Sequence, residues 1–175
     1  ITIIRKCTEE IIMRRRIRLN TGWYFAKTEK IVKDIPKDWE AITLPHTWNK
    51  IDGQDGGNDY YRGTCMYVKE LKNPELAAGE HAFLEFEGAA MTADVYVNGE
   101  KLAHHEGGYS TFRVDITNVI TEKMILCVAV DNSANDTVYP QKADFTFYGG
   151  IYRDVNLLIL PEKHFEVEKD GTSGI

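Results

Sequence analysis

Little in this sequence announces chemistry. Cysteine is scarce, with Cys7, Cys65 and Cys127 the three in 175 residues. So sparse and odd a set gives no disulfide framework and no CxxC metal signature. Cys65 and Cys127 stand among strand-forming residues, where a free cysteine behaves as a small buried apolar group. Positive charge is not in excess either. The formal net charge is -6, which argues against a nucleic-acid partner, because neutralising phosphates needs a basic face. One basic cluster exists, Arg14, Arg15, Arg16 and Arg18, and its composition reads as a solvated, poorly ordered leader. No apolar run reaches the length of a membrane span, and no signal-peptide stretch follows Ile1-Thr2-Ile3-Ile4-Arg5-Lys6. The motifs GxSxG, P-loop, HExxH and GxGxxG are all missing.

What the sequence does have is alternation. Hydrophobic residues are 43% and charged residues 27%, the balance of a folded globular chain. Residues 16–20 alternate, Arg-Ile-Arg-Leu-Asn, and Trp23-Tyr24-Phe25 then supplies an apolar anchor. Residues 63–69 read as a strand. Ala82, Leu84 and Phe86 share one face of the next, with Glu85 and Glu87 expected on a solvated opposite face. Ala93, Val95 and Val97 face inward on another, and Asn98-Gly99 follows at once. That pair is a strong hairpin signal, since both central residues of a type I′ turn need φ > 0. Residues 101–105 would return. Residues 124–130 form a near-continuous apolar run, as in a strand covered on both faces, and 155–160 is the last strand before Pro161. No stretch keeps a helical period over three turns. The expected fold is therefore all-β, a jelly-roll β-sandwich, with Trp23, Leu84, Phe86, Val95, Val97, Leu126 and Val128 in its core. Residues 1–15 are expected to be a leader, 16–167 the domain, and 168–175, of linker composition, a connection to a further domain.

Candidate chemistry is thin. His104 and His105 are adjacent on a strand, so they point to opposite faces and make a poor metal pair. Two segments embed polar groups among aromatics: residues 58–62, Asn-Asp-Tyr-Tyr-Arg, and residues 144–153, Asp-Phe-Thr-Phe-Tyr-Gly-Gly-Ile-Tyr-Arg. Sugars present hydroxyls in a ring plane and C–H faces above it. A sugar site therefore wants carboxylates or amides beside aromatic platforms. Asp144, Asn58 and Asp59 are the candidate sugar contacts. Asp144 could equally cap its loop or pair with Arg153.

Four motifs, in order, resemble glycoside hydrolase family 2, which includes β-galactosidases, β-glucuronidases and β-mannosidases. They are Leu44-Pro45-His46-Thr47-Trp48, Val95-Tyr96-Val97-Asn98-Gly99, residues 105–112 with Asp115-Ile116-Thr117, and Asp144-Phe145 through Gly150-Ile151-Tyr152-Arg153-Asp154-Val155. Their spacing is similar to that of the family's amino-terminal sugar-binding domain. The resemblance implies a jelly roll followed by an immunoglobulin-like domain and a TIM barrel. The barrel carries both catalytic glutamates of a retaining hydrolase. It implies no catalytic residue in this chain, and no activity for it alone. It gives Asp144 a contact to sugar hydroxyls at the barrel rim, beside the loop of Asn58 or Asp59. It also gives Asp144 a share in a monovalent-cation site of the full-length enzyme. No cofactor is expected in this chain, with a monovalent or divalent cation the group to expect in the full-length enzyme. The expected partner is carbohydrate, first a β-galactoside. Asp-Phe-x-x-Tyr-x-Gly-Ile-x-Arg is also close to the β-glucuronidase pattern, and Phe145 and Phe147 stand where some β-galactosidases have Trp. Arg153 is expected to pair with a carboxylate and shape its turn. A free-standing carbohydrate-binding module and an interaction domain with a dead site are the other readings.

Overall fold

The computed structural model describes residues 14–52, 60–139 and 146–167. Among these, ten short alternating or apolar segments become strands: β1 (Arg15–Arg18), β2 (Trp23–Ala26), β3 (Glu40–Ile42), β4 (Thr64–Lys72), β5 (His81–Phe86), β6 (Thr92–Val97), β7 (Glu100–Glu106), β8 (Phe112–Asp115), β9 (Lys123–Asp131) and β10 (Val155–Leu160). A single 3-10 turn, Thr117–Val119, is the only helical element among the described residues. None of those residues forms a helix long and apolar enough to cross a membrane.

The strands pair antiparallel into two sheets. One has the order β1-β10-β5-β8, the other β3-β2-β4-β9-β6-β7. From β4 to β10 the chain changes sheet at every step except the β6–β7 hairpin. That crossing pattern makes the sandwich a jelly roll. The hairpin is the one its sequence promised. Asn98 (φ 53°) and Gly99 (φ 84°) take the left-handed conformations of a type I′ turn. The Asn98 side-chain oxygen also accepts the Ile125 N–H at 2.8 Å.

The core lies between the sheets. Trp23, Tyr67, Leu84, Phe86, Leu126 and Val128 are fully buried there, and Val95 and Val97 join them. β9 is covered on both faces, as its apolar run required. Leu126 and Val128 face the core, while Ile125 and Cys127 pack outward with Val32, beside Ile35 and Trp39. Both described cysteines are free and buried. Burial pushes the Cys65 thiol up to about 12, which leaves it inert as a nucleophile.

Two expectations fail on the outer face of the four-stranded sheet. Glu85 is buried rather than solvated, 3% exposed. Its carboxylate accepts from Arg113 Nε at 2.6 Å and lies 2.9 Å from Arg16 Nη2. The arginine cluster is not a free leader either. Arg15 to Arg18 form edge strand β1, with Arg15 on Glu80, Arg16 on Glu85 and Glu87, and Arg18 on Asp154. Alternation shows which residues share a face. Whether anything covers that face depends on partners distant in the chain.

Candidate functional site

Three of the four quoted motifs converge at one end of the sandwich. Thr64, Asp131, Thr92 and Glu106 lie across that end of the six-stranded sheet, joined pairwise by the ladder register. The fourth motif, the Asn98-Gly99 hairpin, caps the other end of β6 and is structural. Gly149 and Gly150 dock directly on the 46–48 segment. The Gly149 N–H donates to the Asn49 side chain at 2.7 Å, and the His46 N–H donates to the Ile151 carbonyl at 2.8 Å. Tyr152 donates its hydroxyl to the Gly108 carbonyl, which ties in the 105–112 motif.

Two buried amides join these loops. Asn49 donates from Nδ2 to Asp52 Oδ2 at 2.5 Å and to the Tyr61 carbonyl at 2.8 Å. Asn132 donates to the Phe147 carbonyl at 2.9 Å and to Asn49 Oδ1 at 3.2 Å, and its own Oδ1 accepts the Gly63 N–H at 2.9 Å. The backbone N–H donors of Gly149 and Gly63 fix which amide atom is oxygen. Tyr60 adds a hydroxyl bond to the Phe147 carbonyl at 2.7 Å. The Arg62 guanidinium lies over both the Tyr60 and Phe147 rings.

Beside this knot runs a cleft of about 650 Å³, lined by Thr47, Lys50, Ala90, Tyr109, Thr146, Tyr148 and Tyr152. That volume suits a small ligand. Tyr109 and Tyr148 leave much of their rings open to solvent. Burial pushes the Tyr152 hydroxyl up in pKa, and the Arg153 charge only partly offsets this. Tyr152 is therefore a neutral donor at physiological pH. The cleft offers aromatic faces, hydroxyls and one ammonium group. No carboxylate stands among the described residues that line it, so they provide no acid–base pair for glycosidic cleavage.

Two histidines brace this end. His46 places Nδ1 2.8 Å from the Tyr67 hydroxyl, and His105 stacks on Phe112 with centroids 4.1 Å apart. Burial lowers both pKa values below 6.5, against a nearby Glu40 for His46 and against a hydrogen bond to Gly107 for His105. A folded pKa below the unfolded one means that the unfolded chain binds more protons. The stability these neutral rings contribute is present above about pH 6.5 and is lost as pH falls through that value towards the folded pKa. The urea midpoint should be lower at about pH 5.5 than at about pH 7.5, and His105→Gln should narrow the gap. An equal or higher midpoint at the acid end would contradict this.

Asn58, Asp59 and Asp144 lie outside the described residues. The structure does bring together the described flanks of their two segments, through the Tyr60–Phe147 bond. The expected pairing of Arg153 with a carboxylate is left open where it concerns Asp144, which lies outside the described residues. The Arg153 guanidinium reaches the Glu87 and Tyr109 carbonyls, each at 3.4 Å, and lies over the Tyr152 ring. His104 and His105 diverge as expected, His104 onto Asp94 and His105 onto Phe112. Sequence reasoning missed Asn49 and Asn132. A lone asparagine beside Trp48 or Asp131 carries no pattern, and its role shows only when four loops close around it.

Comparison with known proteins agrees with the geometry. Residues 17–161 match the family described as "Glycosyl hydrolases family 2, sugar binding domain". A β-glucuronidase of Bacteroides fragilis is 38% identical over 151 residues, which are 85% of this chain and 21% of that protein. A β-galactosidase of Thermoanaerobacter pseudethanolicus is 34% identical over 134 residues, 74% of this chain and 18% of that protein. The crystal structure of an FMN-binding β-glucuronidase from Faecalibacterium prausnitzii L2-6 superposes with a TM-score of 0.80 at 42% identity, over 91% of this chain and 24% of that one. The chain thus spans about a fifth of the length of the curated relatives it matches.

Proposed function

The chain belongs to the sugar-binding domain of the glycosyl hydrolases family 2, and on that premise we propose that it serves a longer retaining β-glycosidase as its non-catalytic amino-terminal domain. The observation that carries this is the junction of Tyr60 with Phe147. It joins the described flanks of the two segments that hold Asn58, Asp59 and Asp144, and on this reading those three contact one substrate. The catalytic glutamates would come from a barrel further along the parent chain. Among the described residues no group of three or more His, Cys, Asp or Glu is placed to hold a metal; a monovalent cation beside Asp144 in the full-length enzyme belongs to the same proposal. The motifs leave the glycone open between a β-galactoside, expected first, and a β-glucuronide. The highest identities above are with proteins named β-glucuronidase, so a β-glucuronide is the first substrate to test and a β-galactoside the second.

The test compares the parent enzyme with its Asp144→Ala form on aryl β-glucuronide and β-galactoside. An ionised carboxylate takes charge-assisted hydrogen bonds from vicinal hydroxyls. Losing them should lower kcat/KM by roughly 100-fold or more, at about 1–3 kcal/mol per lost bond. The 175-residue chain alone should turn over neither substrate. Unchanged kcat/KM in the parent would overturn the assignment of Asp144. The tyrosine-lined cleft favours one second reading, a self-sufficient carbohydrate-binding module. Calorimetric titration of the chain separates the two: millimolar or no binding fits the first, and micromolar binding fits the second.

A further inference from the structure

We propose that Asn49 and Asn132 are positioning residues that align the two walls of the tyrosine cleft, an inference that rests on the cleft end being the glycoside-facing end. One wall, Thr47 and Lys50, belongs to the segment that contains Asn49. The other, Thr146 and Tyr148, flanks the Phe147 carbonyl and the Gly149 N–H that the two amides hold. Both side chains are 0% exposed, and every polar atom on them is engaged. The Asn132–Asn49 bond at 3.2 Å links the wall-holding contacts into one network. The Tyr61 N–H closes onto the same Asp52 carboxylate that Asn49 holds. Two fully buried amides do not maximise apolar burial. Filled with all partners in place, they fix one relative placement of the loops.

The isosteric variants cut the network selectively. Asn49→Asp keeps the acceptor for Gly149 and loses both donations, to Asp52 and to the Tyr61 carbonyl. Asn132→Asp keeps the acceptor for Gly63 and loses the donations to the Phe147 carbonyl, to Asn49 Oδ1 and, at 3.4 Å, to the Tyr61 carbonyl. Tyr60→Phe is milder, removing one hydroxyl bond to the Phe147 carbonyl at a half-open position, and it keeps the test alive where an aspartate variant fails to fold. The experiment measures KM and kcat of the full-length parent on an aryl β-glucuronide and an aryl β-galactoside, with rates normalised by active-site titration. Positioning predicts a KM rise of about tenfold for either aspartate variant and a smaller rise for Tyr60→Phe, with kcat within about twofold. A purely structural role lowers the titrated active fraction and leaves KM unchanged in all three, which overturns the inference while the proposed function stands. A wild-type parent that hydrolyses neither glycoside overturns the proposed function, and this inference with it.

Discussion

Replacing Gly149 with alanine should cost the domain about 3 kcal/mol or more, the upper end of what overpacking does to a filled core. A Cβ on Gly149 would sit 1.9 Å from Trp48 Cζ2 and 2.4 Å from Cε2. Trp48 cannot swing aside. Its indole N–H donates to the Tyr61 carbonyl at 3.3 Å, and its ring is stacked on Phe25 at 6.1 Å. Displacing residue 149 instead would pull its N–H from Asn49 and drag Gly150, whose own missing Cβ leaves room for the His46 carbonyl. The clash is local to one ring, so a compensating variant can test it. Trp48→Leu should cost stability alone, yet Gly149→Ala should cost less in that background than in the wild type. Urea unfolding of the four proteins measures the coupling. A single variant within about 1 kcal/mol of wild type, or strict additivity, would show that the glycine is not there for the tryptophan.

That contact explains why two distant motifs appear together in one chain. Leu44-Pro45-His46-Thr47-Trp48 and the glycine pair before Ile151 are the two sides of a single packing joint. The 105–112 motif reaches the same place through Gly108, whose carbonyl receives Tyr152. A pattern that reads in sequence as three signatures is, in space, one surround of the cleft.

The fold was largely legible. Period-two alternation placed β5 and β6 with the correct inward faces, Asn98-Gly99 set the β6–β7 hairpin, and the unbroken apolar run of β9 required cover on both sides. The source of that cover was not legible. Val32, Ile35 and Trp39 lie in an irregular segment without period, and nothing local says that it lies over Cys127. The site was legible in its motifs and not in its geometry. The candidate contacts Asn58, Asp59 and Asp144 came from short polar-aromatic segments, whereas the buried amides that tie the described flanks are single residues 83 positions apart, one of them 100 positions from the Gly149 N–H it holds. The arginine cluster misled for the same reason. Its acidic partners are 65 to 71 residues away for Arg15 and Arg16 and further still for Arg18, on Asp154, and charge composition alone cannot distinguish a solvated run from one half of an ion-pair lattice.

That lattice supplies the other large effect. Glu85 is the penultimate residue of β5, across the ladder from Arg113 on β8 and Asn156 on β10. The Glu85 and Arg113 side chains are 4% and 9% exposed, and Arg113 Nε donates to Glu85 at 2.6 Å. Arg113 also donates from Nη1 to the Val167 carbonyl at 2.8 Å, which fastens the segment after β10 over Phe83 and Leu158. A charge pair so placed gains from mutual attraction about what it loses in desolvation, so the intact pair adds little net stability. Removing one partner is different, because the other charge is left buried. Glu85→Ala should therefore destabilise the domain by about 3–5 kcal/mol. The double variant Glu85→Leu with Arg113→Met restores an apolar contact between β5 and β8, and should recover most of that loss. The exposed pair Lys123–Glu70 at 2.9 Å is the control: Glu70→Ala should cost less than about 1 kcal/mol. If Glu85→Ala behaved like Glu70→Ala, the outer face of this sheet would be solvated in practice. If the double variant fell as far as the single, the pair would be contributing more than its own burial, through the hold of Arg113 on Val167.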